Sequence, residues 1–461
     1  MIALTLAEIA DITGGWVDGD ASVRVRGPAF LDSRRVDRDG LFVAIAGEHT
    51  DGHQFATAAV GAGAAAVLGT RPTGVPTVVV SDAQAALHLL AAQVLRRLRA
   101  QHPALRVVAI TGSQGKTSAK DMLAAVLTDA APTVATYQSF NNELGLPLTV
   151  LRADLQTRYL VLEMGARGVG HLAELCLVAP PDVSLVLNVG VAHLGEFGSQ
   201  DMIARAKGEI VEALGPDGVA VLNLDDPRVA GMAPRTRGRV RTFGRRSGAG
   251  LRLESVEVDD LGRPSFDLHH GQERIRVRLR LLGEHQATNA AAAAAVGLAL
   301  GLSLHAIGAS LGRIEALSPW RMELRERPDG LVVVNDAYNA NPDSMRAALE
   351  TLAGIGRRTG RRTVAVLGEM LELGDESDAE HGRVGDLVRE LGIGLLIKVG
   401  WSARRYGGAD SPQATSVDEA VELVRNNVVG TDVVLVKASR AAGLERVAAA
   451  LLDNGEEGPS Q

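Results

Sequence analysis

Short runs of apolar residues punctuate the chain, and the sequence between them decides how each run is read. Up to about Ser81, runs at 23–30, 40–45 and 75–80 alternate with turn residues, which predicts a small unit of strands and helices. A segment of helical period begins at Ala83 (AQAALHLLAAQVLRRLR) and leads into the run 106–111, which ends in a glycine turn. The runs at 159–165, 183–190 and 218–223 are buried-strand candidates, each parted from the next by sequence of helical period. Such alternation predicts a doubly wound, mainly parallel sheet. Between Leu251 and Leu282 the period changes to two, the mark of an antiparallel excursion from that sheet. A third block starts near Pro319, with runs at 331–338, 362–368, 395–400 and 432–439 again separated by helices. The expected fold is therefore α/β with three domains: a small N-terminal α/β substrate domain over 1–82, a central phosphate-loop domain with a doubly wound, mainly parallel sheet over 83–318, and a C-terminal Rossmann-like α/β domain over 319–461. The polar tail DNGEEGPSQ is expected to be unstructured.

Composition narrows the function classes. The chain has 461 residues, 46% hydrophobic and 22% charged, as in an ordinary soluble protein. Lys+Arg 48 against Asp+Glu 55 leaves a net charge of −7, which argues against a nucleic-acid partner. Cys176 stands alone, so an internal disulfide framework and a multi-cysteine metal site are excluded, and a reducing cytoplasmic setting fits. The first residues carry no basic region ahead of an apolar core, so no secretory leader is expected there. The alanine-rich stretch from Ala290 to Leu311 is interrupted by His305 and reads as one buried, tightly packed helix, with no membrane insertion. Only Lys116, Lys120, Lys207, Lys398 and Lys437 are lysines; arginine supplies every other basic side chain. Lysine can lose its proton where arginine cannot, so a lysine kept in an arginine-rich chain points to chemistry that needs it.

The strongest motif is Gly112-Ser113-Gln114-Gly115-Lys116-Thr117-Ser118, set between a strand and a helix. Glycines let backbone N–H groups curl inward onto phosphate oxygens, and the helix N-terminus adds partial positive charge. Lys116 can reach the outer phosphates and the Thr117 hydroxyl can ligate Mg²⁺. The usual longer loop would begin with glycine where Ile110 stands. Glu163 and His193 follow strand candidates, and ligands of open α/β sheets gather at the carboxyl ends of strands. A carboxylate, Thr117 and phosphate suit Mg²⁺, whereas a histidine ligand would favour Mn²⁺ or a mixed site. Taken singly, either residue also reads as a satisfied structural side chain, and Lys207 as a solvated helix lysine.

Together these segments resemble the Mur ligases, ATP-dependent amide ligases of cell-wall precursor synthesis. The resemblance runs through Asp32-Ser33-Arg34, Asp51-Gly52-His53-Gln54-Phe55, the phosphate loop, Asn141-Asn142-Glu143-Leu144-Gly145, Glu163-Met164-Gly165 and Asn188-Val189-Gly190-Val191-Ala192-His193. It continues with Gly283-Glu284-His285 to Asn289, Arg321-Met322, Asn335-Asp336-Ala337-Tyr338-Asn339-Ala340-Asn341-Pro342 and Leu367-Gly368-Glu369-Met370. It implies ATP and Mg²⁺, as two ions, with Thr117 and Glu163 on one and Glu163 with His193 on the other. It implies that Lys207 is carbamylated by CO₂ and supports the metal site. His285 and Asn289 would position the nucleotide; Arg321 and Asp336 would reach its phosphates and ribose, with Tyr338 and Asn341 nearby. Ser33, Arg34, Asn141 and Asn142 would face a UDP-muramoyl tripeptide. Asn339-Ala340-Asn341-Pro342-Asp343, where a relative that adds diaminopimelate or lysine carries Asp-Asn-Pro-Arg, favours the member that adds D-Ala-D-Ala, as a cytoplasmic monomer. Near the C-terminus the family's Lys-Gly-Ser-Arg stands as Lys437-Ala438-Ser439-Arg440. A regulatory or motor NTPase and a non-catalytic scaffold are the alternatives from other classes.

Overall fold

The strands assemble into three main sheets, each built from one stretch of the chain. The computed structural model describes residues 1–47, 50–138, 140–190, 197–316, 318–371, 373–408 and 410–453; His193 and the tail beyond Asp453 lie outside the described residues. The first sheet orders its strands as Trp16–Asp18, Thr77–Val79, Ala66–Gly69, Leu41–Val43 and Ala29–Phe30, parallel except at the first pair. The long helix Ala83–Gln101 leaves it, capped by Asp82, whose carboxylate accepts from the Gln84 and Ala85 N–H groups.

The second sheet has nine strands. Its centre is Arg106–Thr111, flanked by Tyr159–Glu163 on one side and Val183–Val186 on the other, all parallel. The chain leaves Arg106–Thr111 toward one edge and returns to its opposite side, so the strand order reverses there and opens a crevice at the carboxyl ends. Every residue of Tyr159–Glu163 is buried, which explains why the run is apolar throughout up to its final glutamate. The period-two segment forms the strands Leu251–Val258, Pro264–His270 and Glu273–Arg278. They are antiparallel to one another but continue the same sheet, through the parallel pairing of Phe243 with Leu251.

The alanine-rich stretch differs from the expected single helix. One helix spans His285–Ala299 and a second spans Leu304–Leu311, with a turn between them at Gly301, whose φ is +89°. Ala290 to Val296 are buried in the core that also holds Met122, Leu123 and Val126 of the helix Lys116–Thr128. Small side chains let these helices approach closely, and the helix after the phosphate loop is thereby anchored. Among the described residues no helix is long and apolar enough to cross a membrane.

The third sheet runs Glu323–Glu326, Val332–Asp336, Val433–Lys437, Thr363–Leu367, Leu395–Val399 and Gln413–Ala414, antiparallel only at its first pair. Its helix Pro342–Thr359 starts with a capping box between Asn341 and Ser344 and ends at Gly360 in the left-handed region.

Candidate active site

Residues 112–115 connect the central strand to the helix Lys116–Thr128. Gly115 has φ +78°, and a Cβ there would sit 2.5 Å from Asn289 Oδ1, so only glycine fits. Asn289 is buried behind the loop and donates to Gln286 Oε1 at 2.9 Å. Asn188 holds the loop from the neighbouring strand end: its Oδ1 accepts from the Ser113 and Gln114 N–H groups, both at 3.0 Å. The first-turn N–H groups of the helix have no intrahelical acceptor by geometry, which suits them to an anion. Lys116 Nζ donates to the Gly112 carbonyl at 2.7 Å, folded back along the loop it would serve.

A cleft of 570 Å³ opens in front of the loop. Ser113 to Ser118, Asn141, Asn142, Glu163 and Lys207 line it from the second sheet's side, and Arg321, Tyr338 and Asn341 from the third's. Glu163 is 1% exposed; its Oε1 accepts from Asn141 Nδ2 at 2.7 Å, and its Oε2 has no hydrogen-bond partner among the described residues. A buried anionic oxygen left unpaired is the donor a cation would take. No group of three or more His, Cys, Asp or Glu side chains converges to hold a metal among the described residues. Mg²⁺ commonly keeps several waters and takes one or two carboxylates plus substrate phosphates, which the Glu163 oxygen suits.

Lys207 lies on the helix Gln200–Glu212 and is buried. Burial, with the charge of Lys116 beside it, holds its pKa well below the ordinary lysine range. Its helix neighbour Glu209 accepts from the Gly170 and Ala173 N–H groups at 2.6 and 3.0 Å, which ties this helix to the start of His171–Val178. From the third sheet's side, Arg321 Nη2 donates to Thr117 Oγ1 at 3.3 Å, and Arg321 Nε is buried without a partner among the described residues.

Several expected site residues sit elsewhere. Asp336 is buried beneath the Arg321 segment, accepting from Lys437 Nζ at 2.5 Å and from the Met322 N–H at 3.0 Å. His285 is half-buried at the start of the helix His285–Ala299 and does not line the cleft, and desolvation lowers its pKa. Leu31 lines the cleft, but Ser33 and Arg34 do not, and Arg34 is exposed and paired with Asp32. Arg167 and His171 line the cleft without having been singled out; the signal was a basic residue and a glycine turn directly after Glu163-Met164-Gly165.

Known proteins match this arrangement. The Mur ligase middle domain matches residues 110–297, the Mur ligase glutamate ligase domain residues 320–440, and the Mur ligase family catalytic domain residues 30–107. The UDP-N-acetylmuramoyl-tripeptide–D-alanyl-D-alanine ligase of Mycobacterium tuberculosis is 45% identical, over 98% of each chain. The crystal structure of MurF from Acinetobacter baumannii superposes with a TM-score of 0.85 at 32% identity, covering 98% of this chain and 99% of that one. MurF from Thermotoga maritima in complex with ADP gives 0.78 at 30% identity, covering 92% and 96%. With family matches over all three sheets and relatives of this similarity along nearly its full length, the chain belongs to the Mur ligase family.

Proposed function

We infer that the chain is an ATP-dependent amide ligase that joins D-alanyl-D-alanine to UDP-N-acetylmuramoyl-tripeptide, in the synthesis of peptidoglycan precursors in the cytoplasm. The observation that carries this reading is the meeting in one cleft of a phosphate loop, a buried carboxylate with an unpaired oxygen, and an arginine from another sheet. Residues 1–82 would hold the uridine end of the substrate, 83–318 the nucleotide, and 319–461 would close over both.

An amide does not form from a carboxylate without a leaving group better than oxide. The tripeptide's terminal carboxylate oxygen attacks the γ-phosphorus of ATP, the bond to the β–γ bridging oxygen breaks, and ADP departs. Lys116 and Arg321 offset the charge on the transferring group, and the loop N–H groups hold it in line. The dipeptide amine then attacks the acyl carbon; the bond to phosphate breaks and the amine's surplus proton leaves. Asn141 keeps Glu163 Oε1 in place, and Oε2 with the Thr117 hydroxyl would hold the ion. Mg²⁺ bound there would neutralise charge on the phosphoryl oxygens. The Lys207 amine, whose charged form burial disfavours, would add to CO₂: an N–C bond forms, one C=O bond of CO₂ becomes C–O⁻, the nitrogen's proton leaves to water, and the neutral amine becomes a carbamate anion beside the metal position. Because acyl phosphates hydrolyse readily, the Arg321 side of the cleft must close before the amine arrives.

A phosphate-release panel tests the reading. Release is expected only with ATP, UDP-N-acetylmuramoyl-tripeptide and D-Ala-D-Ala together; brisk release with ATP alone would favour a regulatory NTPase instead.

A further inference from the structure

Trp320 has φ +60° and Met322 φ +50°, one on each side of Arg321. A bulky side chain in the left-handed region is a genuine outlier, with a backbone cost that surrounding contacts must offset. Those contacts are present. The Trp320 ring stacks with Tyr338, centroids 6.5 Å apart and planes 28° from parallel. The Arg440 guanidinium lies over the Trp320 ring at 4.2 Å, and that of Arg321 over the Tyr338 ring at 4.3 Å. Four side chains thus form a continuous series, Arg440, Trp320, Tyr338 and Arg321, ending at the Thr117 hydroxyl. Backbone bonds pin the turn that carries it: the Tyr338 N–H donates to the Trp320 carbonyl at 3.3 Å, and the Met322 N–H to Asp336 Oδ1 at 3.0 Å.

We propose that Trp320 is a positioning residue, whose strained backbone and stacked ring aim Arg321 across the cleft at the phosphate loop. Trp320 does not line the cleft; it acts through Tyr338 and the turn. Arg440 holds the outer end of the series and is itself tied to Glu445 at 2.7 Å. The inference rests on the reading above, in which Arg321 meets the nucleotide phosphates.

Trp320→Gly separates the two effects, because glycine takes φ +60° without strain yet removes the ring. Its thermal midpoint is expected to stay level or rise. Its kcat/KM for ATP is expected to fall about tenfold, the scale of one lost cation–ring contact, while KM for D-Ala-D-Ala stays within about twofold. Trp320→Phe, which keeps an aromatic face, should recover most of the loss, and Arg440→Ala should follow Trp320→Gly with a smaller effect. Unchanged ATP kinetics in Trp320→Gly would overturn the proposal, as would an activity loss that simply tracks a fallen thermal midpoint. Calorimetry of ATP on the unmutated protein keeps the two claims apart: if nothing binds, the reading of the cleft fails, whereas binding with indifferent Trp320→Gly kinetics removes the positioning role alone.

Discussion

The second and third sheets each bury a lysine near their carboxyl ends, and the two are treated oppositely. Lys437 is 1% exposed and donates to Asp336 Oδ2 and to the Asn339 carbonyl, at 2.5 and 2.9 Å. Lys207 is 5% exposed, has another cation, Lys116, as its electrostatic neighbour, and pairs with no carboxylate among the described residues. Burial lowers the pKa of both, but Asp336 pulls the Lys437 ammonium back toward its charged form, whereas Lys116 pushes Lys207 further from it. A buried charge with its partner in place is finished structure; one without a partner marks where chemistry from outside is to be met. Lys437 belongs to an internally satisfied pair, whereas Lys207 stands at the cleft that is open to ligand.

The sharpest break of that contrast is Lys116→Ala. Turnover is expected to fall about a thousandfold, the scale of losing a key charge donor at a transferring group, with the thermal midpoint nearly unchanged. Lys207→Ala comes next: turnover should collapse, and short carboxylic acids such as formate or acetate should restore part of it by replacing carbamate oxygens. A fully active alanine variant would end the carbamate idea. Stability should respond in opposite directions at the two lysines. Lys437→Met leaves the buried Asp336 carboxylate without its cation, so urea unfolding should show a loss of about 3 kcal/mol. Lys207→Met removes a buried amine that pairs with no carboxylate among the described residues, so the protein should gain about 1 kcal/mol while losing activity.

The smallest expected effect is a pH response of the third domain. His381 is buried; its Nε2 accepts from the Met370 N–H at 3.1 Å and its Nδ1 faces the Ser377 carbonyl at 2.7 Å. Burial lowers its pKa, against the opposing pull of the Ser377 carbonyl, Glu369, Asp378 and Glu380. The stability it contributes is complete above the unfolded value near about 6.5 and is lost as pH falls through the lower folded value. His381→Gln should flatten the unfolding midpoint between about pH 6.5 and 5 relative to the parent, and an identical pH dependence would remove His381 as the cause.

Much of this was legible in the sequence where burial is two-sided. The runs at 106–111, 159–163, 183–186, 332–336 and 433–437 are strands buried along nearly their whole length, so their apolar content stands out. The strands Trp16–Asp18, Thr133–Ala135 and Glu323–Glu326 were missed because each is short and partly exposed, leaving no periodic signal. The loop at 112–118 announced itself through local spacing, and Glu163 through its place at a strand end. The supporting contacts did not: Asn289 was named only through the resemblance and its pressing on Gly115 from far along the chain has no local signal, and Trp320 reads as an ordinary aromatic until its φ is seen. The alanine run gave burial correctly but concealed its break, because Gly301 inside an apolar stretch looks like one more small residue.

The most direct test follows one oxygen. With ¹⁸O in the terminal carboxylate of UDP-N-acetylmuramoyl-tripeptide, one labelled oxygen should appear in the released phosphate for each amide formed, since that oxygen attacks phosphorus and leaves with it. Amide formation with unlabelled phosphate would contradict phosphoryl transfer to the carboxylate, and with it the role assigned here to the cleft in front of Lys116.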